Sequence, residues 1–189
     1  MNSDPAPQQN SAIEFRPAWR KRDPTVERDA ELFWQRMKAL PPRANVPDRL
    51  ANLCAAAYLS DELIGVTTAR IRDINFLHCK LAMLTVLTAA GAASGLHAVG
   101  TSLSNYSHDL LEAWSRENGA EGVMGLGALI QSRNLVENYN WAVYPTTGLA
   151  LVGYTRSGIQ MRVSWFAHAR ISQHWPGVPD ASDYAVEFW

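Results

Sequence analysis

Apolar residues change period several times along this chain, and each change marks an element. Ile13 to Pro17 (IEFRP) alternates apolar and polar, the period of a strand. Behind Asp23-Pro24-Thr25, a helix-opening sequence, Leu32, Phe33, Met37 and Leu40 recur at helical spacing from Glu27 onward, and Pro41-Pro42 stops them. Val46 to Leu50, opened by Pro47-Asp48, predicts a short second helix. Leu53 to Leu59 (LCAAAYL) and Leu63 to Ile71 (LIGVTTARI) flank Ser60-Asp61-Glu62 and predict a hairpin. The alanine run of its first arm is equally compatible with helix. Leu81 to Leu87 is apolar on both faces, which predicts a central strand covered on both sides. Leu96 to Glu117 carries Leu103, Leu110, Leu111 and Trp114 on one stripe and predicts the longest helix, closed by Asn118-Gly119. Val123 to Ile130 predicts a glycine-rich strand, and Arg133 to Val143 a shorter helix ended by Pro145. Leu149 to Tyr154 and Ile159 to Phe166 predict a final hairpin about Arg156-Ser157-Gly158.

Length and composition narrow the class. One domain is expected for 189 residues. It spans 13–171, between a polar tail (1–12) expected to be disordered and an aromatic, acidic C-terminal arm (172–189). Trp175 and Trp189 on that arm suit packing on their own domain or on a partner, such as a second copy. A net charge of -1 argues against nucleic acid. No apolar run reaches the roughly 18 residues of a membrane span. The first residues lack the basic start and apolar core of a secretory signal, so a cytoplasmic protein is expected. Cys54 and Cys79 sit in apolar strand-like runs and read as reduced thiols, with no metal-ligand spacing around them. Arg16, Arg20, Lys21, Arg22 and Arg28 read as a solvated basic surface.

The densest chemical signal is the strand, small-residue loop and helix from Leu81 to Trp114. A helix that starts beside a strand end offers free backbone N–H groups to a phosphate. Ala92, Ala93, Ser94 and Gly95 let a phosphate approach, but the loop carries no Arg or Lys. The strand carries Thr85 and Thr88 and no acid or base.

The order of the elements and the residues at their joints resemble the GNAT N-acetyltransferase family over about Ile13 to Ile171. The family's acyl-CoA loop, Gln/Arg-x-x-Gly-x-Gly/Ala, is matched by Ala92-Ala93-Ser94-Gly95-Leu96-His97, of which Gly95 keeps the pattern. The helix end Leu110-Leu111-Glu112-Ala113-Trp114-Ser115-Arg116-Glu117-Asn118-Gly119 is close to the family's helix-to-strand joint. Asn134, followed by Tyr144-Pro145-Thr146-Thr147-Gly148-Leu149 and Gly153-Tyr154, is similar to its Asn…Tyr-x-x-x-Gly-Phe close. Ala92 replaces Gln/Arg, His97 replaces Gly/Ala, and Asn134 stands farther from the tyrosine than is usual.

The resemblance implies an α/β (α+β) fold: a mixed, mostly antiparallel sheet of about seven strands with about four helices. The sheet would splay between Leu81–Leu87 and Val123–Ile130. It implies acyl-CoA-dependent N-acyltransfer, with acetyl-CoA as the cofactor and a small amine or a protein amine as acceptor. Leu87, Ala89, Ser94, Gly95, Leu96, His97 and Asn134 would bind the cofactor. The amine would attack the thioester directly, a strand amide would hold the oxygen, and Tyr144 would protonate the leaving thiolate. Alternatives stay open at three residues. His97 contacts phosphate or caps the turn; Asn134 touches the pantetheine arm or caps its helix; Tyr144 is an acid or a core phenol. His78, Asp73 and Glu137 are the nearest titratable groups in sequence, and none is placed as a base. A second reading follows: a GNAT-like binding or scaffold protein without catalysis.

Overall fold

The computed structural model describes residues 12–89, 96–138 and 140–170. The 1–11 tail, most of the small-residue loop and the C-terminal arm with Trp175 and Trp189 lie outside them. The chain forms β1 (Glu14–Pro17), α1 (Pro24–Arg36), α2 (Val46–Ala51), β2 (Leu53–Leu59), β3 (Glu62–Ile74) and β4 (Cys79–Thr88). It continues with α3 (Leu96–Glu117), β5 (Val123–Ile130), α4 (Arg133–Asn138), β6 (Ala150–Tyr154) and β7 (Gln160–Trp165). The seven strands make one sheet in the order β1-β2-β3-β4-β5-β7-β6. Every neighbouring pair is antiparallel except β4–β5. Parallel neighbours need a crossover, and α3 supplies it. The mixed, mostly antiparallel α/β architecture is the one expected.

Local chemistry accounts for most boundaries. The Asp23 carboxylate accepts from the amides of Thr25 (2.9 Å) and Val26 (3.3 Å) and so caps α1. α1 stops at Arg36, before the two prolines, because Lys38 turns into the left-handed region (φ 51°). Its buried face is Val26, Ala30, Phe33 and Trp34; Leu32 turns outward and is 56% exposed. The alanine run is strand: Ala55, Ala56 and Ala57 lie fully buried between β1 and β3, with helices on both faces. Ser60 and Asp61 both take positive φ, as a two-residue hairpin turn requires.

α3 lays Val99, Leu103, Ser107 and Leu111 on the sheet, all buried, with the Ser107 hydroxyl 2.8 Å from that of Thr67. Its end differs from expectation. The Asn118 side chain and backbone N–H both reach the Trp114 carbonyl, but the left-handed glycine is Gly122, one 3-10 turn later. α4 also ends earlier than expected, at Asn138, and Val143 instead makes a bridge to Ala150. Cys54 is buried, Cys79 half-buried, and both are free. No described helix is long and apolar enough to cross a membrane.

Candidate active site

β4 changes character along its length. Its ladder with β5 runs from Lys80↔Val123 to Leu84↔Ala128 and stops there. β4 nevertheless stays paired with β3 as far as Gly65↔Thr88, and β5 stays paired with β7 as far as Ile130↔Gln160. The sheet therefore parts into two leaves after Leu84 and Ala128. Leu81, Ala82 and Leu84 are buried, but Thr85 and Val86 are exposed, so the expected coverage of the whole strand fails at its open end. The Ala89 N–H donates to the Ile64 carbonyl at 2.8 Å. Alternation along an antiparallel ladder then turns Leu87 toward β3 as well, and turns the N–H and C=O groups of Val86 and Thr88 toward the opening. The Leu87 and Ala89 side chains pack against the cluster beneath α1. A Cβ on Gly100, near the start of α3, would lie 3.9 Å from the Thr88 methyl, so helix start and strand end are neighbours.

Tyr144 stands over the last closed rung. Its ring belongs to the buried cluster that holds Leu84, Leu111, Leu126 and Leu149, with Ala128 packed against it. The turn that carries it is tightly tied. The Tyr144 N–H donates to the Leu149 carbonyl (3.0 Å), and the Tyr144 carbonyl accepts from Gly148 (2.8 Å) and Thr147 (3.3 Å). Gly148 supplies the positive φ this turn needs (67°). The Asn105 side chain of α3 donates to the Thr146 carbonyl at 3.0 Å. Arg162 lies across the ring, its guanidinium carbon 3.8 Å from the centroid. Tyr144 is only 9% exposed, yet its hydroxyl has no hydrogen-bond partner among the described residues, and neither has the buried Thr147 hydroxyl. An unsatisfied buried hydroxyl costs about 1–3 kcal/mol. Such a group calls for a specific explanation, and a partner from outside the chain is one.

The other expected residues fall in three places. Ser94 and Gly95 lie outside the described residues. Leu96 and His97 form the first turn of α3, and Asn134 lies in the first turn of α4, where the Ser132 hydroxyl accepts from Leu135 N–H at 3.4 Å. Asp73 and His78 are at the opposite end of β4. With Cys79, Lys80 and Glu121 they line a groove of about 400 Å³ beside the closed rungs. Glu137 pairs with Arg133 at 3.1 Å. Burial pushes the Cys54 thiol up to about 12, which makes it a poor nucleophile. In the basic N-terminal cluster, Arg16, Arg22 and Arg28 pair with Glu14, Glu27 and Asp29, and Arg20 lies over Trp19. Sequence reasoning missed Arg162. Its one signal is a cation inside the apolar run of β7.

No family model matches this chain, and no curated protein matches it in sequence. Solved structures do match. A mutant of agmatine N-acetyltransferase in its apo form aligns over 82% of this chain and 100% of its own, with 12% identity and a TM-score of 0.50. An acetyltransferase of the GNAT family from Streptococcus pneumoniae covers 82% and 99%, with 13% identity and a TM-score of 0.49. Aminoglycoside 6'-acetyltransferase type Ii covers 82% and 97%, with 16% identity and a TM-score of 0.49. At such identities the likeness is one of fold. With its seven-stranded order, its single parallel pair spanned by α3 and the opening between those two strands, the chain has the fold of the GNAT acetyltransferases.

Proposed function

We propose that this protein is an acyl-CoA-dependent N-acyltransferase, with acetyl-CoA as the donor and a small amine or a protein amine as the acceptor. The observation that carries the reading is the buried hydroxyl of Tyr144, without a partner among the described residues, in the cluster at the rung where β4 and β5 part. The residues present fit the donor. Val86 and Thr88 turn backbone donors and acceptors into the opening, where an extended amide chain can pair as an added strand. The Ser94–Gly95 loop and the first amides of α3, at Leu96 and His97, suit the pyrophosphate. By the family resemblance, Asn134 is the residue for the pantetheine arm. Leu87 and Ala89 line the same strand end, but Ala89 N–H is already bonded to Ile64, so the backbone contacts pass to Val86 and Thr88.

Bound there, an acyl-CoA supplies an activated thioester. With the donor bound, a β4 amide facing the opening would hold the thioester oxygen as negative charge grows on it, and Tyr144 Oη would supply the proton taken up by the departing sulfur. The proton of the incoming amine is assigned to water: Asp73 and His78 line the groove at the opposite end of β4, and Glu137 is paired with Arg133. The test is thiol release from acetyl-CoA against a panel of amines. Tyr144→Phe lowers turnover about 100-fold and leaves acetyl-CoA affinity unchanged. Equal turnover in the two proteins would remove the acid role.

A second reading is favoured by one observation: Ala92 stands where the resembled loop has Gln/Arg, and the loop carries no cation. In that reading the chain is a GNAT-like scaffold that does not bind the donor. Failure to bind acetyl-CoA at millimolar concentration would support it.

A further inference from the structure

We infer that Arg162 is the positioning residue for Tyr144, holding the phenol at the mouth of the opening between β4 and β5. The inference rests on the acyltransferase reading of Tyr144. Arg162 is 1% exposed in the middle of β7, between the buried Met161 and Val163. An apolar side chain is the ordinary filler of such a position, and a buried guanidinium is costly unless it is well paired. No ion pair to a carboxylate satisfies it among the described residues. What satisfies it is the Tyr144 turn. Its Nη1 donates to the carbonyls of Trp141 (2.9 Å), Leu149 (3.3 Å) and Ala142 (3.4 Å). Its Nε donates to Gln160 Oε1 at 3.0 Å.

Trp141 and Ala142 lead into Tyr144, and Leu149 leads out. One side chain therefore clamps both arms of the turn while its guanidinium carbon lies over the ring, 3.8 Å from the centroid. Its place on the sheet sets the height of that ring. Arg162 is paired with Ala128, and Ala128 with Leu84, the last rung before the leaves part. The small Ala128 leaves room across the strand for the guanidinium. Lysine could keep the charge, but not the planar group that reaches the three carbonyls through Nη1 and Gln160 through Nε while lying over the ring.

The test is a double-mutant cycle read by steady-state kinetics with acetyl-CoA and an accepted amine. Arg162→Lys and Arg162→Met should each lower kcat on the order of 100-fold, as a misplaced reacting group does, with KM for acetyl-CoA unchanged. In the Tyr144→Phe background the same substitutions should change kcat by less than about twofold, because the group they position is gone. An equal loss in both backgrounds means a merely structural role and overturns the inference, as does full activity of Arg162→Lys. If Arg162→Met does not fold, Arg162→Lys carries the cycle.

Two results would leave that cycle without a ground: no turnover with any amine sinks the acyltransferase reading, and Tyr144→Phe as fast as the unaltered protein sinks the acid role of Tyr144. Backbone hydrogen exchange then decides Arg162 alone. The amides of Tyr144, Gly148 and Leu151 are bonded within the turn, to Leu149, Tyr144 and Ala142. Exchange at least about tenfold faster at these amides in Arg162→Lys, with β4 unchanged, sustains the positioning role. Unchanged rates overturn it.

Discussion

The two ends of the β4–β5 pair differ in what each strand is bonded to. At the closed end glycines keep β5 close to both neighbours. A Cβ on Gly127 would run into the Met83 side chain of β4, and one on Gly125 would come within 2.7 Å of the Ser164 carbonyl of β7. At the open end each strand keeps its outer partner and loses the inner one. The backbone groups of Val86 and Thr88 are left to face a gap, and Tyr144 stands over its edge. The same two strands thus form a rigid hinge at one end and, in the acyltransferase reading, a recognition edge at the other. Packing fixes the first, and unmet hydrogen-bonding capacity marks the second.

Breaking the hinge should have the largest effect. Leu84→Ala removes the buried side chain of the last closed rung and should cost about 2–5 kcal/mol of stability, read from urea denaturation. Tyr144→Phe sharpens the contrast from the other side. It should cost about 2.7 kcal/mol of transition-state stabilisation, the equivalent of 100-fold in turnover, without lowering the unfolding midpoint, since it removes an unsatisfied buried hydroxyl. Gly125→Ala should destabilise the protein by about 1–3 kcal/mol at the β5–β7 contact; the neighbouring atoms, of Ser164 and Trp165, are backbone and cannot swing aside. The smallest effect is a gain. Ala92→Arg should tighten CoA binding about tenfold, measured by calorimetry, by adding a charge-assisted contact. No gain would mean that the loop lies away from the phosphates.

Much of the fold was legible because it is written in local periods. The Leu103–Leu111 stripe, the both-sided apolar run of β4 and the Ser60-Asp61 turn each specify their own element. The alanine run of β2 was ambiguous by propensity, and the neighbours on both sides settle it as strand. α4 shows the opposite case. Helical spacing continues past Asn138, but the tied turn at Tyr144 and Pro145 pulls the chain away.

The candidate site was only partly legible. Tyr144 was found through its resemblance to a family pattern. The direction of the Val86 and Thr88 amides depends on which rungs of the β3–β4 ladder are hydrogen-bonded, a phase that side-chain alternation does not carry. Arg162 was invisible for a related reason. A cation in an apolar strand is explained only by carbonyls from a distant turn, and no local pattern announces that contact.

The central claim is that the open end of β4–β5, with Tyr144 at its mouth, is an acyl-CoA site. Calorimetric titration of the purified protein with acetyl-CoA and with CoA, at low salt, tests it most directly. Micromolar binding of acetyl-CoA is expected, retained in Tyr144→Phe. The absence of binding at millimolar ligand would contradict it and leave a GNAT fold serving as a scaffold.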